Sequence, residues 1–590
     1  MTTPTTSLAQ PTTSLAALPS AWRDTLRIGL IGGVCAVLIA LIGMIEAFSN
    51  RNIIAGVITL GTLLILGSAF LSGYFATRNT LRSSHPAEVV GQGALAGLMT
   101  SLFLALLALF VHAVPTIRSM FINASPALAE LLTLNQGVPT GNLLLLIVGA
   151  VMGALAGLLQ LAPPTLRRGL VVAVGTTILI GMMQDLLRVT FQNWPVLRPV
   201  SSFFFTSNGL APAGAATIFA LALLFSVAWS QRGDQVRANV RSLPPAQRRA
   251  LNFGLIVFGG FILLALPWIV GLFFSEVLVN VGLFVLMALG LNIVVGFAGL
   301  LDLGYVAFYA IGAYMIGLLT STSKEIIFAG GWSFWAALPF AIVVAIIAGA
   351  ILGIPVLKIR GDYLAIVTLG FGEIIRLLAQ SDFLKPVLGG SRGVELIPKP
   401  MIGSFEFVGP QELYYLILAG CLIAVFVSLR LKDSRQGRAW MAMREDEDVA
   451  QTMGINLVNT KLLAFMIGAS LAGIAGAIFA SKLAIIYPHS FNLLISILVL
   501  AVVIIGGMGS IPGVILGALV LVGLPELLRE FSDYRLLLYG AALVLMMLVR
   551  PEGLWPEEVH QRELHEADEE VGQSEQLSDD EGLAREGAAS

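Results

Sequence analysis

Charge is scarce in this chain. Of its 590 residues only 12% are Asp, Glu, Lys or Arg, where a soluble globular chain carries about 25%. Hydrophobic residues make up 57%, so an ordinary soluble domain is excluded. Cysteine is nearly absent. Cys35 and Cys421 lie far apart within apolar runs, so neither a disulfide framework nor a cysteine metal site is implied. No G-x-x-x-x-G-K-[ST] loop occurs, which removes the usual backbone cradle for nucleotide phosphates. GGSRG at 389–393 is glycine-rich but has no such lysine. The chain is therefore not expected to be an enzyme, and energy for any transport must come from a partner or an ion gradient. Around His489 no residues have metal-ligand spacing, and no cofactor is expected.

Long apolar runs fill the space that charge leaves. A run of about 20 residues crosses a bilayer as a helix, and in hydrocarbon the backbone must satisfy its own hydrogen bonds. These runs are too long and too evenly apolar for barrel strands. The expected fold is all-α, a polytopic transmembrane bundle of about 16 spans by the length rule. Six are placed near 28–48, 53–76, 89–112, 142–162, 169–187 and 211–230. Ten more follow near 251–273, 276–296, 304–320, 336–357, 363–379, 413–429, 462–482, 491–508, 511–528 and 536–550.

The ends and the middle read differently. Residues 1–25 are rich in Thr, Ser, Pro and Ala and repeat PTTSLA at Pro4–Ala9 and Pro11–Ala16, a composition expected to be disordered. The apolar run after it is read as a retained helix of an accessory bundle over 26–230. A basic linker at 231–250, with Arg232, Arg237, Arg241, Arg248 and Arg249, is the best internal boundary. An acidic tail, 556–590, reads as a solvated disordered extension. It holds twelve acids and two bases, which leaves 24 acids and 32 bases, about +8, elsewhere. Basic loops beside membrane helices favour the cytoplasm. With the N-terminus inside, the loops carrying Arg78/Arg82, Arg167/Arg168, the linker, Lys358/Arg360 and the polar stretch 430–461 all fall inside, as does the C-terminus.

Glycines spaced by four, at 149/153/157, 349/353 and 513/517, let helix backbones approach closely. Packing within one chain is the commoner use of that spacing, with a dedicated dimer face the rival.

The polar stretch 430–461 is the most informative. It carries Arg430, Lys432, Arg435, Arg438, Arg444 and Lys461 among Asp433, Glu445, Asp446, Glu447 and Asp448. From Arg438 to Met453 the residues are good helix formers without Pro or Gly, and Gly454 follows as a C′ glycine. One short helix in an aqueous loop is expected. From charge alone, a surface for a soluble partner and a merely solvated loop are equally good readings.

Other polar residues sit near apolar spans. Glu373 and Arg376, at i and i+3, can pair, as a pathway or gate element or as a structural ion pair. Asp185 and Arg188 have the same spacing. Asn292 precedes an expected helix break at Gly296–Gly299, followed by Asp302 and Tyr305. Broken helices often line transport routes, but Asp302 reads equally well as a surface loop carboxylate.

From Leu251 onward the sequence resembles the LivM-type permease of bacterial branched-chain amino-acid ABC importers. The likeness rests on ALGLNIVVGFAGLLDLGYVAFYAIGAY from Ala288, RGDYLAIVTLGFGEIIRL at Arg360–Leu377, GGSRG at 389–393, the stretch 434–480 and RPEGLW at Arg550–Trp555. The first 250 residues have no counterpart in that pattern. The resemblance implies a permease domain over 251–555 in a bacterial cytoplasmic (inner) membrane. It implies as partners a homologous second permease, two cytoplasmic ABC ATPases and a periplasmic or lipid-anchored substrate-binding protein. Membrane lipid is a further partner and nucleic acid is not. It also implies that Gly437, Arg438, Arg444, Glu445, Asp446 and Gly454 belong to a coupling helix that seats on an ATPase. The implied cargo is a branched-chain or related amino acid. The alternatives are another small polar solute such as an amide or urea, or ion-coupled secondary transport.

Overall fold

A computed structural model describes residues 20–78, 85–114, 121–194, 198–242, 244–323, 330–356, 359, 361–528, 533–550 and 552–556. The PTTSLA repeats, Arg82, Lys358, Arg360 and the acidic stretch from 557 lie outside the described residues.

The chain is helical nearly throughout. Among the described residues twelve helices are long and apolar enough to cross a membrane, and three shorter apolar helices join them at Val306–Thr320, Ile511–Leu527 and Arg535–Leu548. One of the twelve, Ala246–Phe297, is 52 residues long. At 1.5 Å per residue it far exceeds a hydrocarbon core of about 30 Å. The reason lies at Gly271, where φ 84° and ψ −177° interrupt the helix four residues after Pro267. The sequence suggests two spans meeting near 274; the turn comes slightly earlier, at the residue without a Cβ.

Other departures are local. The helix expected from 53 begins only at Leu60, because Asn52–Ile54 and Ile58–Thr59 pair as a small antiparallel ribbon. Their β-branched residues favour that conformation. A second ribbon pairs Met401–Ile402 with Phe405–Glu406. Beyond Met182 the chain does not continue as a span but forms a separate short helix, Gln184–Asn193.

The chain divides into two compact units, 1–254 and 255–590. In the first, the glycine spacing works inside one chain. Gly153 of helix Val138–Leu161 lies against Gly93 and Gly97 of helix Pro86–Ala113, and a Cβ at 153 would fall 2.1 Å from the Gly93 carbonyl oxygen. Thr100 donates to Ser72 Oγ at 2.8 Å and to Ala96 O at 3.1 Å, so hydroxyls share this seam. Asp185 does not pair with Arg188. It binds Arg51 at 2.5 Å, while Arg188 donates to Thr206 O at 3.1 Å. Arg51 stands beside the small ribbon and competes more directly for the carboxylate than the helical neighbour does.

In the second unit, helix Leu457–Leu483 is central. Its small residues Gly468, Ala472, Gly476 and Ala480 are buried, and it packs on helices Val306–Thr320 and Phe334–Val356. Gly349 and Gly353 meet Phe465 and Leu462 of it, and Gly517 meets Val502 and Gly506. Large exposed side chains such as Ile256, Phe258, Phe261 and Phe426 cover the outer faces, as expected where lipid rather than water is the solvent.

Candidate functional site

The polar stretch folds as a hairpin of two helices rather than one. Helix Pro410–Lys432 ends at Asp433, and Ser434 caps the next helix, Arg435–Glu445, accepting from Gly437 N at 3.1 Å. Asp446 then leaves helical geometry (φ −154°, ψ 115°) and caps a third helix, Glu447–Thr452, accepting from Asp448 N at 2.8 Å and Val449 N at 2.9 Å. An acidic cap followed by two acids in the first turn is a strong helix start, which is why the helix expected from 438 to 453 is split there. Gly454 takes φ +89° after the last turn.

The hairpin is held by side chains that point back into the bundle. Gly437 is buried, and a Cβ there would fall 2.2 Å from the Leu431 carbonyl oxygen, so only glycine lets the chain reverse this sharply. Trp440 is fully buried and donates from Nε1 to Thr460 O at 2.8 Å. Lys461, also buried, pairs with Glu447 at 2.7 Å. Sequence reasoning placed both residues in the stretch but gave no reason to pair them. One face remains open: Arg438, Glu445, Asp446, Asp448, Val449 and Met453 are exposed, with Met453 at 79% and Val449 at 57%.

Arg444 does not belong to that open face. Its Nη1 donates to Gly296 O at 2.7 Å. Gly296 lies in a π-helical turn, Asn292–Phe297, at the end of the long apolar stretch. The break expected at Gly296–Gly299 is therefore present, as a widened turn that leaves carbonyls free for side chains. Asn292, 1% exposed, accepts from Gly509 N at 2.9 Å. A Cβ at 296 would strike that same Oδ1 at 2.2 Å and Gly509 N at 2.6 Å. RPEGLW closes the same corner, with Leu554 N donating to Ile505 O at 2.8 Å and Trp555 N to Gly506 O at 3.1 Å.

The loop after the break is buried too. Asp302 is 0% exposed, so it is not a surface carboxylate. Its Oδ1 accepts from Gly304 N at 2.9 Å, Thr368 bonds to the carboxylate, and Oδ2 has no partner among the described residues. Burial pushes its pKa up to about 7, against the opposing pull of those two bonds. Thr368 also accepts from Leu303 N at 3.0 Å, and Ser496 from Val306 N at 3.0 Å. Tyr305 donates to Gly468 O at 2.7 Å, and Gly290 makes room for its hydroxyl.

Glu373 and Arg376 pair as expected, with Arg376 Nε donating to Glu373 Oε2 at 2.9 Å. The pair is partly exposed, and Glu373 borders a cavity of about 150 Å³ with Leu303, Val306, Gly372 and Phe491. The structure therefore gathers Asn292 and Arg444 around one end of the break, and Asp302, Tyr305 and Glu373 around the loop that follows, while Gly437 packs against the end of helix Pro410–Lys432. Arg438, Glu445, Asp446 and Gly454 stay on the hairpin surface. GGSRG at 389–393 forms a turn with φ between +59° and +78° at its three helix-incompatible glycines, and Val394 and Ile486 exchange backbone hydrogen bonds at 3.0 and 2.9 Å beside it.

A bundle of apolar helices, one broken beside a polar hairpin that is keyed into the break, defines a polytopic helical membrane protein of the permease class. The chain belongs to the family described as the branched-chain amino acid transport system / permease component, whose model matches residues 273–548. It is 43% identical over 297 residues to the high-affinity branched-chain amino acid transport system permease protein LivM of Salmonella typhimurium, and equally to that of Escherichia coli K12. Each match covers 46% of this chain and 68% of the relative. The LivH permease protein of E. coli K12 is 26% identical over 288 residues, 46% of this chain and 90% of that protein. No solved structure matches.

Proposed function

We propose that this chain is the permease subunit of an ABC importer that carries branched-chain amino acids, and that its hairpin over 435–454 receives the stroke of a partner ATPase. The names of the LivM and LivH relatives support the cargo. The observation that carries the mechanism is the bond from Arg444 to the Gly296 carbonyl. It joins a solvent-facing hairpin to the only π-helical turn that the described residues place between two apolar spans near a buried carboxylate. Arg438, Glu445, Asp446 and Asp448 give the open face orientation and specificity, while Val449 and Met453 give it an apolar centre. A tilt of the hairpin would be felt directly at Gly296, and through Asn292 at the 507–510 turn. Asp302, Tyr305 and Glu373 are the pathway or gate groups of this reading. Its topology has both termini in the cytoplasm. Its partners are a LivH-type permease, two ATPases and a substrate-binding protein.

The double variant Arg438→Ala/Glu445→Ala removes exposed charges, among them the Glu445 carboxylate 3.5 Å from Arg444 Nε, but removes neither partner of the Arg444–Gly296 and Trp440–Thr460 hydrogen bonds. Expressed with the partner subunits, it is expected to insert normally, to lose co-purification with the ATPase and to lose leucine uptake. Wild-type uptake by a fully inserted double variant would refute the assignment of the hairpin.

A further inference from the structure

The first unit carries a groove of about 560 Å³ whose lining includes Arg167, Arg168, Tyr74, Trp229 and Ser230. None of its lining residues among those described is acidic. Three candidate spans end at this place. Arg167 and Arg168 stand in the first turn of Pro164–Met182. Trp229 and Ser230 lie in the last turns of Pro212–Gly233, and Tyr74 is one turn from the end of Leu60–Arg78. Helix Pro164–Met182 packs along helix Pro212–Ser242, so the groove lies between elements that touch.

The chemistry changes along its length. At one end two guanidiniums meet the N-terminus of a helix, where free backbone N–H groups add partial positive charge. Arg167 is half-buried and oriented by Gln160, to whose Oε1 it donates at 2.7 Å. Arg168 is exposed, with no side-chain bond to a described residue. At the other end Val171 and Val172 face outward, 49% and 47% exposed. The aromatic residues lie between. Tyr and Trp concentrate where a membrane changes from headgroup to acyl chain. Trp229, 54% exposed, is stacked on Phe225 at 6.1 Å.

We propose that this groove binds an anionic phospholipid, its phosphate between Arg167 and Arg168 and an acyl chain along Val171 and Val172. A free phosphate would use the guanidiniums alone and leave the valine face idle. A protein segment would need apolar or acidic side chains placed to match, whereas a phospholipid presents both chemistries at the spacing of the interface itself. Basic pockets between transmembrane helices are suited to such headgroups. The site gives the first unit a role that the family match, which begins at residue 273, does not cover.

Quenching of Trp229 tests this in the full chain. The protein has eight tryptophans, so the Trp229 signal is the difference between wild type and Trp229→Phe. In detergent micelles, phosphatidylglycerol with brominated acyl chains is expected to quench that signal at lower mole fraction than brominated phosphatidylcholine. One arginine near an anionic surface is worth roughly a fivefold gain in affinity. Arg168→Gln should therefore cut the preference about fivefold, and Arg167→Gln/Arg168→Gln should bring it close to one. Excess inorganic phosphate should leave the wild-type preference intact. Equal quenching by the two lipids, a preference left unchanged by Arg168→Gln, or its loss to inorganic phosphate would each overturn the proposal. Arg168→Gln stands alone should the double variant fail to fold, because the Arg168 side chain supports no other described residue.

Discussion

Asp302 is a fully buried carboxylate in the second unit. A buried carboxylate is unfavourable in its charged form, and here only one oxygen is fully served. Its pKa rises from 3.8 to about 7, with burial the largest cause. The sign of the stability effect follows from proton counting. Between about pH 4 and pH 7 the folded chain holds a proton that the unfolded chain has released. Stability from this group is therefore full below the unfolded value and is lost as pH rises through the folded one. Asp302→Asn keeps the shape and cannot ionise. In detergent-solubilised protein, the wild-type unfolding midpoint should fall from pH 5 to pH 8 more steeply than that of Asp302→Asn. Parallel profiles for the two proteins would mean that the carboxyl is solvated. Tyr305 beside it stays a neutral donor, since burial and the Asp302 charge both raise its pKa well above the usual phenol value.

Arg444 separates the roles within the hairpin. The charged residues on the open face and the charged residue on the inner face are indistinguishable by composition, because both lie among good helix formers. A polar helical segment ended by Gly454 and the break at Gly296 were legible in sequence, since each depends on neighbours within a few positions; the hairpin was not, because one helix was expected over 438–453. The split at Asp446 was legible in principle: an acid followed by Glu447 and Asp448 is a cap with an acidic first turn. The partners of Arg444, Asn292 and Tyr305 were not, being 148, 217 and 163 residues away. The i, i+3 rule succeeded at Glu373–Arg376 and failed at Asp185–Arg188 for the same reason, since a nearby Arg51 from another element decides the second case. Arg444→Ala removes a hydrogen bond from a charged donor, worth about 1.5–3 kcal/mol, together with the 3.5 Å contact to Glu445, and keeps every charged side chain of the open face. Within the assembled importer it should retain ATPase co-purification and ATP turnover while losing most uptake. Parallel loss of association and uptake would place Arg444 in the interface instead.

At the scale of the whole molecule, the question is where free energy enters. A permease alternates between states only if something distinguishes them, and the size of that bias limits the gradient it can sustain. The sequence carries no phosphate loop that could bind a nucleotide. The ionisable groups at the break and the loop after it are already committed. Arg444 holds Gly296, Glu373 holds Arg376 and Lys461 holds Glu447. Asp302 is buried, with one oxygen bound to Gly304 N and the other without a partner among the described residues. In the proposed reading, the hairpin is where an external bias acts. The chain reconstituted alone into vesicles should not accumulate leucine, whatever the imposed proton or sodium gradient or membrane potential. Adding the partner permease, ATPases, binding protein and ATP should start accumulation. Gradient-driven accumulation by the isolated chain would show that the helices harvest ion energy themselves, and the hairpin would lose its place as the point of energy entry.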